Sequence, residues 1–174
     1  MKNTKKLAIS AMIGALGSVI MSVGAMLEVM DLTLCAVASL LVVLVYLELG
    51  SPYTWLVWLA TSLATAIMFF GSAVWIEYLL VFGIYPLLKA YIERLPRALW
   101  LLLKLLFVNL MSLALFLLSE AVLGIPLISS SGIWAKVMLM VLVNVAFIVY
   151  DLFISAMVRL YVLKWRRHFA GLFK

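Results

Sequence analysis

Apolar residues run along this chain in long blocks, each ended by a short cluster of charged or turn-forming residues. The blocks predict six helices: Leu7 to Leu27, Leu32 to Leu49, Tyr53 to Phe70, Ala73 to Ile92, Ala98 to Ser119 and Ile133 to Leu163. About 20 apolar residues at roughly 1.5 Å per residue cross the hydrocarbon of a bilayer, so each block reads as one span. The breaks have recognisable chemistry. Glu28 and Asp31 make an acidic turn, and Glu48-Leu49-Gly50-Ser51-Pro52 is a helix stop followed by a turn. Gly71-Ser72 and the charged loop Glu93-Arg94-Leu95-Pro96-Arg97 follow. Pro86 is predicted to kink the fourth span or loosen a turn in it. The connection from Glu120 to Gly132, with Gly124, Pro126 and Ser129 to Ser131, is the longest, and is expected to fold over something. The sixth block is longer than a bilayer needs and is expected to project before the tail Lys164-Trp165-Arg166-Arg167-His168.

Composition agrees with this pattern. The chain is 68% hydrophobic and 11% charged, whereas a soluble domain is nearer half apolar and a quarter charged. The expectation is one all-α integral membrane domain over residues 1–174, a six-helix transmembrane bundle. The net charge of +6 matters through its placement. Lys2, Lys5 and Lys6, the loop between the fourth and fifth spans, and the carboxyl-terminal tail hold most of the Lys and Arg. The opposite loops hold Glu28, Asp31 and Glu120 and no basic residue. The positive-inside rule then puts both termini in the cytoplasm of a bacterial inner membrane. A basic start before an apolar run also fits a secretory signal. The first block is longer than an ordinary signal core and is expected to be retained; cleavage would leave five spans with the other loops in place.

The residue inventory narrows the chemistry. Cys35 is the single cysteine, so no internal disulfide forms, and His168 is the single histidine; no metal or other cofactor is expected. No glycine-rich phosphate loop is present, so the chain itself is not expected to hydrolyse a nucleotide. Ser129 to Ser131 have no histidine nearby in sequence, which disfavours a Ser/His hydrolase; no enzyme activity is expected. The basic residues flank spans rather than line a soluble face, so nucleic acid is not an expected partner.

The first span carries a pattern of its own. Ala8, Ala11, Ala15, Ser18, Ser22 and Ala25 alternate steps of three and four, which places them on one helical seam. Gly14, Gly17 and Gly24 thin the neighbouring surface. Close packing drives helix association in lipid, so the seam reads either as a docking face for another subunit or as the contact with this protein's own helices.

Ionisable groups within spans are costly, about 2.5–3.5 kcal/mol at a helix centre on insertion scales, and need a partner or water. Glu77 lies about one turn into the fourth span and Lys136 about one turn into the sixth. With Trp75, Tyr78 and Trp134 they are candidates for an outward-facing ligand pocket; the alternative is an interfacial ion pair within an aromatic belt. Lys104 and Asp151 fall at similar depth toward the cytoplasm and are expected to form a structural or gating pair. Asn109 and Asn144 lie nearer the midplane, placed either to join helices or to touch a ligand.

The Lys-rich start, a first helix containing Ala11-Met12-Ile13-Gly14-Ala15, about six short spans and cytoplasmic termini together resemble the substrate-binding S components of energy-coupling factor transporters. Members of that family carry an Ala-x-x-x-Ala motif in the first helix, which Ala11 and Ala15 match. The resemblance implies that this face docks on a transmembrane T component, that two cytoplasmic ATPases supply energy, and that the chain captures a vitamin-like solute from outside. Two other readings share the size and the seam: a non-transporting scaffold subunit of an envelope or cell-shape complex, and a lipid-handling membrane protein in which Lys104 and Asp151 are the working pair.

Overall fold

A computed structural model describes residues 3–27, 29–124 and 132–166. Lys2, Glu28, Pro126, Ser129 to Ser131 and the tail from Arg167 on, with His168, lie outside the described residues, and with them most of the loop expected to fold over something. All regular structure among the described residues is helical: α1 (Asn3–Leu27), α2 (Asp31–Glu48), α3 (Ser51–Met68), α4 (Val74–Glu77), α5 (Tyr85–Ile92), α6 (Arg97–Leu123) and α7 (Ile133–Leu160). Wider π-helical turns follow α4, over Tyr78–Phe82, and α7, over Tyr161–Trp165. Among the described residues, five segments are long and apolar enough to cross a membrane: Asn3–Leu27, Asp31–Glu48, Val74–Ile92, Leu99–Leu123 and Ile133–Lys164. The third expected span, now α3, is not among them. Its buried line is Thr54, Val57, Thr61, Ser62 and Thr65, mostly hydroxyl side chains, which lowers its apolar character.

Those hydroxyls are tolerated inside because each has a local acceptor. Thr54, Ser62 and Thr65 donate to the carbonyls of Gly50, Trp58 and Thr61, four residues back. Thr61 instead reaches across to the Gly14 carbonyl of α1, at 3.3 Å. That approach depends on the α1 glycines: a Cβ on Gly17 would lie 3.1 Å from Thr61 Oγ1. The buried positions of α1 are Ser10, Gly14, Gly17, Met21 and Gly24. This line packs α1 against α2, α3 and α4, and a first core cluster of Met21, Cys35, Ala38, Val42, Val74, Tyr78 and Leu87 fills the interior.

The fourth span is interrupted where Pro86 stands. Proline has no N–H to give the carbonyl four residues back, and its ring crowds that turn. The orphaned acceptor is Phe82, and the Tyr150 hydroxyl of α7 donates to it at 3.0 Å while lying 2.8 Å from Ser39 Oγ of α2. The preceding turn widens, with Gly83 N–H bonded to the Tyr78 carbonyl at 2.7 Å, and the Trp58 indole donates to the Leu79 carbonyl at 3.3 Å. Such turns arise where the ordinary ladder is broken. Tyr150→Phe strands the part-buried Phe82 acceptor, so a loss of about 1–2 kcal/mol is expected, read as a lower midpoint of thermal unfolding in detergent with no change in helix content.

A second cluster, Tyr85, Phe107, Val108, Phe147, Tyr150 and Ile154, joins α5, α6 and α7. Tyr85 meets Phe147 edge-on at 4.6 Å between centroids and Phe82 meets Tyr150 edge-on at 4.9 Å, while Tyr85 stacks on Phe107 at 5.7 Å.

One end of the bundle gathers the starts of α1 and α3 and the ends of α2, α5 and α7. The Lys6 ammonium lies over the Tyr53 ring at 5.9 Å, Ser51 meets Tyr91 at 3.4 Å, and Glu48 takes both Tyr161 and Arg166, at 3.1 and 3.3 Å. Most of the described Lys and Arg side chains lie toward this end.

Candidate functional site

The densest polar chemistry among the described residues sits where α5, α6 and α7 meet. Tyr85, Lys89 and Glu93 are spaced by four, which puts them on one face of α5 and the turn after it. Asp151 and Ser155 share a face of α7 in the same way. Lys89 Nζ pairs with Asp151 Oδ1 and also donates to the Asp151 carbonyl (3.0 Å) and Ser155 Oγ (2.7 Å). Lys104 Nζ of α6 lies 2.9 Å from Asp151 Oδ2 and 3.1 Å from Glu93 Oε1. Glu93 is also 3.4 Å from Lys89, and the Tyr85 hydroxyl donates to Asp151 at 2.5 Å. The two lysine side chains are only 7% and 10% exposed. Two cations and two anions cancel, which is the condition for keeping all four away from water. The aromatic cluster adjoins them through Tyr85, which belongs to both.

Sequence depth places Lys104 and Asp151 together, and the coordinates have them in contact. Lys89, Glu93, Tyr85 and Ser155 were missed. Their i, i+4 spacings were the available signal, but the chain alone does not show that α5 turns this face toward Asp151.

Asn109 and Asn144 bond each other reciprocally, at 3.2 and 3.0 Å, and each donates again to the carbonyl four residues back. Their amides are spent on joining α6 to α7. Beside them a shallow hydrocarbon-walled groove of about 520 Å³ runs along Leu105, Val137, Met140, Val141, Val145 and Ile148.

The outer candidates do not come together. Tyr78 is buried in the first core cluster. Glu77 is half-buried on α4, and its Oε2 has no hydrogen-bond partner among the described residues. Trp75 stacks on Phe70 at 5.8 Å and donates to the Phe70 carbonyl. Trp134 is 84% exposed and Lys136 is also exposed. The expected Glu77–Lys136 juxtaposition is not formed, and helix register gives the reason. The Tyr150–Phe82 bond ties α7 to the fourth span at one level. Glu77 is five residues above Phe82, whereas Lys136 is fourteen above Tyr150, about 7 Å against about 21 Å of helical rise. Lys136 therefore stands about 14 Å farther from the basic end. Equal distance from a block's start does not mean equal depth when one helix starts higher.

On α1 the alanine seam and the glycine line part company. Gly14, Gly17 and Gly24 face the bundle, while Ala8, Ala11 and Ala15 are exposed and Ser18 is half-buried, its hydroxyl on the Gly14 carbonyl at 3.0 Å. Ser22 turns toward α3, where its hydroxyl meets Met68 Sδ at 3.8 Å. No known protein family matches the chain, and neither does any curated protein or solved structure.

Proposed function

We propose that the chain is the substrate-capture subunit of a multi-subunit importer for a vitamin-like solute, energised by partner ATPases. In this reading it crosses the membrane six times, α3 included, with both termini in the cytoplasm. The observation that carries the reading is the uncovered seam. The bundle holds α1 through its glycines, and on the lower part of the alanine face Ala8, Ala11 and Ala15 are exposed among the described residues. A smooth face of small residues gains little from disordered lipid and much from a closely packed helix. By resemblance the occupant is a transmembrane T component. The basic residues collected at one end support the orientation.

The direct test is to purify the chain alone and identify any co-purified small molecule by mass spectrometry. A bound micronutrient supports capture, a bound lipid supports lipid handling, and an empty protein favours the scaffold. The scattering of Trp134 and Lys136 away from Glu77 is the observation on the scaffold's side. The seam has its own test. The double variant Ala11→Leu, Ala15→Leu is expected to fold normally and to lose partner co-purification about tenfold, equivalent to about 1.4 kcal/mol. Undiminished recovery of the T component and ATPases removes the docking claim.

A further inference from the structure

The helices of this protein differ in length, and the difference falls on one side. α2 and α3 have 18 residues each, while α6 has 27 and α7 has 28, about 27 Å against about 40 Å. Their contacts fix where the excess lies. Ser39 of α2, Phe82 before α5 and Tyr150 of α7 meet at one level. From there α2 and α4 each run eight residues outward, to Asp31 and Val74, about 12 Å. α1 and α3 stop with them, since Gly24 packs on Leu34 and Val74, and Ser22 meets Met68. α7 runs seventeen residues outward from Tyr150 to Ile133, about 25 Å. α6, tied to α7 at Asn109–Asn144, runs fourteen residues farther to Leu123. At the other end the helices finish near one level: Glu48 is nine residues below Ser39, and Ile92 ten below Phe82.

The geometry points to a stepped outer surface over which the bilayer dips: phospholipid headgroups and their water sink onto the ends of α1 to α4, while α6 and α7 cross the full hydrocarbon thickness. Two observations set the chemistry of the step. The raised part of α6 and α7 exposes Leu117, Leu118, Val122, Trp134, Val137 and Met138, which belong in hydrocarbon, while its charged Glu120 and Lys136 stand one turn from the helix ends, within reach of the headgroups. The low ends carry Asp31 and Glu77, which belong near headgroups and water, beside the exposed apolar side chains of Val29, Met68 and Phe70. Tilting the whole bundle would level the outer side only by submerging part of the basic end. A local thinning beside short helices is the ordinary response of a bilayer to such mismatch. The step also accounts for the exposure of every residue from Ile133 to Leu139 at the start of α7: the body ends below them. This inference does not rest on the importer reading, because a scaffold of the same shape bends lipid in the same way.

The test exploits a contrast near one level. Gly71, between α3 and α4, is eleven residues before Phe82 and Met138 of α7 is twelve before Tyr150, yet the step places Gly71 in water and Met138 in lipid. A Cβ on Gly71 meets nothing within 4 Å, and Met138 is 72% exposed, so Gly71→Cys and Met138→Cys both leave packing intact. The native Cys35 is buried and Cys35→Ala supplies the background control. In phosphatidylcholine vesicles, a membrane-impermeant maleimide is expected to modify the Gly71 position at least about tenfold faster than the Met138 position, since thiol reactivity follows water access. Slow modification at both sites means that the low ends are immersed and no dip exists. Equal, fast modification means that α6 and α7 project into water. Either result overturns the inference.

Discussion

Replacing Asp151 with alanine is expected to destabilise the protein by about 3 kcal/mol, the low end of the cost of breaking a buried ion pair by removing one partner. Asp151 is the hub of the charge cluster, taking Lys89, Lys104 and the Tyr85 hydroxyl. Without it two nearly buried ammonium groups share Glu93 alone, and the cluster passes from neutral to a net positive charge. Asp151→Asn keeps the shape and a partner for Tyr85 but not the charge, and is expected to cost nearly as much. The double variant Asp151→Asn, Lys104→Met restores balance, leaving Lys89 with Glu93. It is expected to recover more than half of the loss in a double-mutant cycle read by thermal unfolding in detergent. A double variant whose cost equals the sum of the singles would show that lost hydrogen bonds, not charge imbalance, dominate.

The cluster also sets what can move. It clamps α5, α6 and α7 at the level where Tyr150 meets Phe82 and Ser39, so the vertical register of the carboxyl-terminal helices is held by polar contacts. The amino-terminal helices are held differently, by glycine-to-threonine contact along α1 and α3. In lipid, where burial of apolar surface gives no drive, both devices are ways of making one helix prefer another to its solvent.

That distinction also decides what the sequence can reveal. Helix existence is legible because a span must satisfy its own backbone and present hydrocarbon outward, so the six apolar blocks correspond to helical segments with ends within a few residues, apart from a later end for α6 and an earlier start for α1. Pro86 is legible for the same reason: a missing N–H breaks a ladder wherever it occurs. What lipid exposure hides is rotation and height. An apolar face looks alike whether it meets lipid or protein, so α1 offers two small-residue lines and the chain alone does not say which one turns inward. Lys136 and Glu77 illustrate height. Each is about one turn from the start of its block, but the blocks start at different levels. The Lys89 contact with Asp151 depends on rotation again, since only packing shows that Tyr85, Lys89 and Glu93 face α7.

Gly83→Ala is expected to cost about 3 kcal/mol, the upper part of the usual range for forcing extra volume into a packed interior. The single methyl would stand 2.5 Å from Trp58 Cδ1 and 2.9 Å from both Tyr78 Cε1 and the Tyr78 carbonyl oxygen. None of these yields easily. The Trp58 indole is tied to the Leu79 carbonyl and lies edge-on to Trp55 at 5.4 Å between centroids. Tyr78 is fully enclosed, and its carbonyl accepts the Gly83 N–H that closes the widened turn. The methyl therefore collides with the turn and with the ring packed over it. Trimming the ring separates the two parts: Gly83→Ala combined with Trp58→Leu is expected to cost less than the sum of the single changes, because the indole clash is then gone and only the turn remains strained. Gly71→Ala is the matched control. The same methyl there meets nothing within 4 Å, and a change within about 0.5 kcal/mol is expected. Equal losses at Gly83 and Gly71 would mean that the widened turn relaxes freely. The close approach of α3 to the broken span, which seats Tyr78 in the core and aims the Phe82 carbonyl at Tyr150, would then not depend on glycine at all.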